Sequence, residues 1–428
     1  MLHINEPEVK TKAFQGKIGL ERENLRVLPD GTFSHIPHPF SEDETHIVYD
    51  FCENQLEVNT AVSDSVEEAV SLLEMHTVEI QKRLAGLPKP ELLWPFSNPP
   101  YIRCEEDIPV AKDNEITGHD EGYRAYLAQR YGRYKMSLCG IHVNYSFSDE
   151  LLHADFQFSE EKDFQEYKNK LYLHVAEGIL TFGWILTAIT AASPLLDGSF
   201  LEEGVLGKTI FSGMASVRCS EMGYWNFFTP VLDYTSIEGY AESIRNYVKD
   251  GQIIAPSELY YPIRLKPRGK NSIENLKQNG VSHIELRMVD VNPLETAGVN
   301  KVDLHFIQLF LIWIAATDHR KMLTKDQIRA VANFKNAAHY DLKPVHIPDS
   351  DGQSHSIEEA GYQLIQVMKE FYREYPDEVL EVLAYEEKKF INPETRYAWR
   401  IRKEYGDDFV GNGLKLAEKK QREALKGN

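Results

Sequence analysis

The sequence predicts an α+β fold: an antiparallel or mixed sheet with acids on one face, packed by helices, and an all-helical C-terminal third. Three observations carry this expectation. Four separated segments, Gly19–Glu23, Asp50–Glu57, Gly140–Asn144 and Ile284–Arg287, set polar residues two apart, as a strand does. Helical patterns, some amphipathic and some wholly apolar, lie between them. Beyond about Asn300 the chain reads as about five or six helices with no convincing strand.

Residues 16–28 are the first expected strand, ending in the turn Pro29-Asp30-Gly31. The segment from Ile47 to Ala61 is the second. A helix follows from Val66 to Leu84, introduced by Ser63-Asp64-Ser65, with Ala69, Leu72, Leu73, His76 and Ile80 on its core face. Pro88 to Pro100 is a proline-rich loop, Gly122 to Lys135 a helix and Ser137 to Phe147 a strand. One long buried helix is expected from Asp163 to Ala192, stopped at Ser193-Pro194. Its apolar stretch is too short for a membrane span. Short strands are expected around Arg218 and Arg264, separated by a helix from Ser236 to Lys249. Val281 to Val291 is a strand closed by Asn292-Pro293. In the helical third, polar gaps fall at 348–353 and at Gly411-Asn412-Gly413, and Leu414–Asn428 is a charged helix expected to fray. The expected organisation is a single catalytic domain over 1–428, sheet-bearing over 1–300 and helical over 301–428.

Composition excludes some functions. With 428 residues, 42% of them hydrophobic, the chain has material for a large core. A net charge of −19 with no basic patch argues against nucleic-acid binding. The N-terminus has no signal-peptide pattern. Cys52, Cys104, Cys139 and Cys219 include no C-x-x-C pair, so no zinc site is expected. Free thiols in a reducing cytoplasm are the default. Cys52 and Cys139 lie in or beside the polar segments. They read as small buried filler, with a nucleophile as the alternative. No membrane or protein partner is implied.

The polar rows carry the chemistry. In a strand Glu21 and Glu23 share a face, as do Glu53, Gln55 and Glu57, His142 and Asn144, and Glu285 and Arg287. Any one pair is a solvated strand face, and E-x-E alone has almost no specificity. Recurrence in separated segments changes the reading, because carboxylates gathered on one face repel unless a cation sits among them. Hard dications such as Mg²⁺ take oxygen ligands, so the chain reads as a metal-dependent enzyme acting on a phosphate-bearing substrate. Gly204-Val205-Leu206-Gly207-Lys208-Thr209 ends like a P-loop but has two residues between its glycines where four are needed. A nucleotide would therefore be held through metal ions and arginines, with Arg124, Arg218, Arg264 and Arg287 as candidates. Arg287 fits either a phosphoryl oxygen or a salt bridge with a neighbouring acid. Arg218 fits a substrate carboxylate or an exposed strand position, and His142 a ligand or a satisfied core histidine.

Taken together, Gly19–Val27, Asp50–Glu57, Tyr123–Gly132, Gly140–Asn144, Ser216–Tyr224, Glu258–Arg264 and Ile284–Pro293 resemble the bacterial glutamate–cysteine ligase family. They also resemble the N-terminal module of bifunctional glutathione synthetase. The resemblance implies a glutamine-synthetase-like sheet carrying the active site, and ATP- and Mg²⁺-dependent ligation of glutamate to cysteine, with Mn²⁺ as an alternative ion. It implies metal ligands at Glu21, Glu23, Asp50, Glu57, His142 and Glu285. Arg287 would face the γ-phosphate, and Asn144 and Arg264 the nucleotide. Arg218 would hold glutamate, which makes Arg287, Glu285 and Arg218 the catalytic set. Phe51, Tyr123, Arg124, Leu127, Tyr224 and Tyr260 would line the pocket of the incoming amino acid. Met136 stands where the family usually has glutamine, and Cys139 where it has a small polar residue, which opens the question of the acceptor. Its alternative is the same chemistry with another amine; a rival from another class is a non-catalytic sensor of glutamate or nucleotide. No ATP-grasp module is expected, so the second step of glutathione synthesis is not.

Overall fold

Strand alternation with one polar face builds the sheet that organises this molecule. The structure, a computed structural model, describes residues 1–41, 43–111, 121–348 and 352–427. Its strands are Gly16–Val27 (β1), Ile47–Tyr49 (β2), Gln55–Asn59 (β3), Leu92–Leu93 (β4), Gly140–Phe147 (β5), Leu195–Asp197 (β6), Thr209–Phe211 (β7), Ile263–Lys266 (β8), His283–Asp290 (β9), His346–Pro348 (β10) and Ser354–Ser356 (β11). The main sheet runs β2-β3-β1-β5-β9-β8, with β4 on the end of β1, and its pairings are antiparallel. β6 pairs with β7, and β10 with β11.

The back of this sheet is packed by the Val66–Ala85, Phe164–Phe182 and Trp184–Thr190 helices. Ser65 caps the first of these by accepting from the Glu68 backbone N–H at 3.2 Å. Ala69, Leu73, Thr77, Ile80 and Leu84 form its buried stripe. The back of β1 is more polar than the sequence suggests. Arg22 donates to Thr77 Oγ1 (3.1 Å) and to the Thr296 carbonyl (2.8 Å). Arg26 pairs with Glu91 at 2.8 Å, both side chains fully buried. The terminal guanidinium nitrogens named are thus partnered, while the Nε atoms of both arginines are buried without a hydrogen-bond partner among the described residues.

One hydrophobic core reaches from Leu2 to Ala417 and takes in both the sheet and the C-terminal helices. The Lys301–Ala316 helix lies at its centre, and Phe306, Ile307, Phe310, Leu311, Ile312 and Ile314 are fully buried. Six α-helices follow residue 300 among the described residues. Among the described residues no single helix is long and apolar enough to cross a membrane.

Several boundaries differ from the sequence reading. The expected helix from 163 to 192 breaks at Gly183, and its two halves meet at 60°. A Cβ at Gly183 would lie 2.4 Å from the Ile179 carbonyl oxygen, so only glycine permits that bend. The second expected strand is two short strands, with Asp50–Asn54 as the hairpin between them. Glu53 therefore leaves the polar row, and its Oε1 accepts from the His38 backbone N–H instead. The segment 122–135 is a helix that restarts after Gly132, whose φ is +81°. Arg218 lies in a turn rather than a strand: the Ser220 N–H bonds back to Ser216 and Val217. The C-terminal third holds the β10–β11 ribbon as well as helices. Gly411–Gly413 belongs to the Phe409–Lys426 helix, and Gly413 brings that helix against Trp94. That helix also packs on Val66–Ala85. Of the expected gap at 348–353, residues 349–351 lie outside the described residues.

Candidate active site

Register places the polar residues in one row across five strands. Glu23 on β1 stands opposite Glu57 on β3, and Glu21 opposite His142 on β5. Asn144 stands opposite Glu285 on β9, which faces Arg264 on β8. Glu21, Glu23, Glu57, His142, Arg264 and Glu285 of this row line a cleft of about 1090 Å³ that also takes in Asp50, Phe51, Tyr123, Arg124, Leu127, Met136, Tyr224, Tyr260 and Arg287, whereas Asn144 does not line it. That is room for a nucleotide together with small substrates.

The row is wired as well as aligned. His142 Nδ1 lies 2.9 Å from Glu21 Oε2, and the Asn144 amide donates to Glu21 Oε1 at 2.8 Å. Glu23 Oε2 accepts from the Gly140 backbone N–H at 2.7 Å. Glu285 is held between Arg287 on its own strand and Lys266 on β8. Ligand atoms of Glu21, His142 and Glu285 lie within 4.8 Å of one another.

The charges divide the row into two ends. Burial, then Glu21, Asp50 and Glu23, pushes the Glu57 carboxyl well above its ordinary range. Burial and Asp50 push Glu23 up to about 7 against the pull of Arg218 and Arg287. Burial also opposes the Glu285 carboxylate, but Lys266, Arg287 and Arg264 hold it well below its usual value. Burial and Arg287 lower His142 to about 4, which leaves a neutral imidazole, the form that ligates metals. The acid-rich end is thus short of positive charge, whereas the β8–β9 end supplies its own.

The glutamate–cysteine ligase family profile matches residues 2–253 and 250–337. The chain belongs to the glutamate–cysteine ligase family. It is 35% identical over 416 residues to the glutathione biosynthesis bifunctional protein GshAB of Listeria monocytogenes, covering 93% of this chain and 53% of that one. The Clostridium perfringens protein of the same name is 32% identical over 406 residues, covering 91% and 50%. The chain thus spans about half the length of the curated relatives it matches. Among solved structures, a bifunctional glutathione synthetase from Pasteurella multocida superposes with a TM-score of 0.82 at 26% identity, covering 99% of this chain and 54% of that one. A glutamate–cysteine ligase from Francisella tularensis in complex with AMP superposes at 0.85 and 20% identity, covering 96% and 89%, and shares the fold.

Within this family member, two of the sequence-derived arginines are also bound to backbone carbonyls. Arg264 spends its guanidinium on the Ser257 and Leu259 carbonyls, at 2.8 Å and 2.5 Å from Nη2. It lines the cleft while fixing the 257–259 segment. Arg218 lies below the row, where it donates to the Arg287 carbonyl at 2.8 Å and approaches His142 Nε2 at 3.4 Å. It lines a small adjoining cavity with Tyr224, Tyr260 and Arg287. Its buried Nε and the buried Tyr260 hydroxyl have no hydrogen-bond partner among the described residues. Burial raises the Cys52 and Cys139 thiols well above their ordinary range, which favours the neutral thiol and fits the reading of buried filler.

Sequence reasoning missed Lys266. Its signal was present: Ile263-Arg264-Leu265-Lys266 alternates as Ile284-Glu285-Leu286-Arg287 does. Tyr240 and Ile244, from the Ile237–Lys249 helix, also line the cleft, as do residues of the 254–259 and 267–276 segments. Nothing local distinguishes those from ordinary helix and loop.

Proposed function

We propose that this chain joins the side-chain carboxylate of glutamate to the amino group of cysteine at the expense of ATP, the first step of glutathione synthesis. The observation that carries this reading is the five-strand row of carboxylates and neutral histidine that ends in Arg287 and Lys266 within one cleft. The donor set fits Mg²⁺ or Mn²⁺, since Glu21, Glu23, Asp50, Glu57 and Glu285 offer hard oxygens and His142 a neutral nitrogen. These residues would hold the cations, which neutralise the triphosphate when bound.

The chain's own residues supply the rest. Arg287 meets the transferring phosphoryl group as glutamate attacks it, forming a γ-glutamyl phosphate and ADP. Its contact with Glu285 fixes the guanidinium beforehand, so no reorganisation is needed during transfer. Lys266 stands across Glu285 from it as a second cation. Asn144 lies on the nucleotide side. Arg218 reaches glutamate from below, with its unpartnered Nε as the donor. Arg264 acts as a positioning residue by holding the 257–259 backbone. Phe51, Tyr123, Arg124, Leu127, Tyr224 and Tyr260 enclose the amine, which attacks the acyl phosphate and releases phosphate. The partners are then these small molecules, and the chain works as one catalytic unit. A cytoplasmic setting fits its four free cysteines.

The test is amine-dependent ADP release with glutamate, ATP, Mg²⁺ and each standard amino acid, run on the protein and on Met136→Gln. Met136 is buried and lines the cleft beside Phe51 and Leu127. A missing amide partner costs at most about 1–3 kcal/mol. Cysteine should therefore stimulate ADP release, with weak discrimination against serine or 2-aminobutyrate, and Met136→Gln should sharpen the preference. If another amine stimulates and cysteine does not, the ligase chemistry stands and the glutathione assignment falls. If no amine stimulates, the sensor reading replaces both.

A further inference from the structure

A second cluster of ligating side chains lies on the outer side of the β2–β3 hairpin, where it takes no part in the cleft. His46 immediately precedes β2, while His76 and Glu79 stand one turn apart on the Val66–Ala85 helix. Glu79 Oε2 is 3.8 Å from His46 Nε2 and 3.7 Å from His76 Nδ1. The two imidazole rings lie 4.5 Å apart between centroids. One ligand atom from each residue fits within 4.8 Å of the other two.

Those two distances lie just beyond both hydrogen bonding and the ligand spacing of a metal site. They are too long for a hydrogen bond. A tetrahedral zinc site, with bonds of about 2.0–2.2 Å, sets its ligand atoms about 3.3–3.6 Å apart, so both Glu79 contacts lie within a few tenths of an ångström of that spacing. A second observation points the same way. His46 Nε2 and His76 Nδ1 are buried yet have no hydrogen-bond partner among the described residues. Two buried ring nitrogens aimed at one carboxylate, with none of the three in a hydrogen bond to the others, are costly as they stand. The nearby cations are engaged elsewhere: Arg83 with Glu44 at 2.9 Å, and Lys82 with the Gly427 carbonyl at 3.2 Å.

We infer that His46, His76 and Glu79 form a site for a borderline d-block dication of the zinc class. Two imidazoles and one carboxylate leave a fourth position for water, and nitrogen-rich donors favour such ions over Mg²⁺. The missing C-x-x-C pair excludes only thiolate sites. The role is a clamp. The His46 carbonyl accepts from the Asn59 N–H at 2.8 Å, so an ion there ties the hairpin bearing Asp50 and Glu57 to the helix behind it.

The experiment measures binding of Zn²⁺ alone and of Co²⁺ alone to the full chain in excess Mg²⁺, by calorimetry and by the visible spectrum of Co²⁺. One equivalent should bind, show tetrahedral Co²⁺ absorption and raise the thermal midpoint. Glu21→Gln, which alters the cleft, should retain that equivalent, whereas His46→Asn/His76→Gln should lose it. Glu79→Gln keeps both imidazoles and should weaken binding by more than the roughly 10-fold that even an outer-shell change costs, and it serves where the double variant does not fold. No Zn²⁺ binding by the unmodified chain, or binding unchanged in these variants, overturns the site. Loss of the equivalent in Glu21→Gln alone would assign it to the cleft and overturn it equally.

Discussion

At the scale of single residues, this molecule turns on carboxylates whose surroundings push them in opposite directions. Glu57 is raised by burial among other acids, whereas Glu285 is held ionised by Lys266 and Arg287. Glu57→Gln removes one charged oxygen from the proposed cation site and leaves the shape almost unchanged. The fold should persist while ATP turnover at limiting Mg²⁺ falls; normal turnover there would remove Glu57 from the site. Arg287→Lys keeps the charge and loses the planar fork. If Arg287 meets charge chiefly during transfer, kcat should fall by roughly 10²-fold, as on loss of one oxyanion donor, with little change in KM for ATP. A pure KM effect would mean ground-state binding, and no effect a structural salt bridge.

At the scale of elements, the site depends on close approach of backbone to side chain. Gly140 opens β5 directly over Arg218, where a Cβ would lie 2.2 Å from the guanidinium carbon. Gly140→Ala must therefore move Arg218 off its contact with the Arg287 carbonyl. KM for glutamate should rise and kcat fall, since displacement by about 1 Å can cost roughly 10²-fold. The glutamate dependence of ADP release would show it, and unchanged kinetics would separate Arg218 from the substrate. The bend at Gly183 is a second such case: the apolar run announced a buried helix but not the 60° turn within it.

Across the whole molecule, a buried polar network knits the helical third together and ties it to the Trp184–Thr190 helix, where Lys389 donates to the Ile189 carbonyl at 3.1 Å. Lys389 donates to Asp303 at 2.7 Å and pairs with Glu386 at 2.8 Å, while the Tyr397 hydroxyl donates to Asp303 at 3.0 Å. This links the Lys301–Ala316, Asp377–Ile391 and Tyr397–Tyr405 helices. Lys389→Met leaves buried acids without their cation and should cost about 3–5 kcal/mol in denaturant unfolding. A loss under about 1 kcal/mol would show that the network sets specificity rather than stability.

The sequence by itself determined the strand faces and which polar side chains share them. Glu21, Glu23, Glu57, His142, Glu285 and Arg287 were legible because side-chain direction in a strand is local, a period of two that needs no partner. The buried apolar helices were legible for the same reason. Tertiary structure decided what faces what. No local rule sets Glu23 against Glu57 or Glu285 between Arg264 and Asn144, since register depends on strands far apart in sequence. Nor could one show Glu53 leaving the row for a hairpin, Arg218 in a turn below it, or Lys266 completing the charge around Glu285. His46, separated by 30 and 33 residues from His76 and Glu79 on the helix, was invisible as a ligand for the same physical reason: a site is a meeting of side chains, and the chain alone specifies only which of them are available to meet.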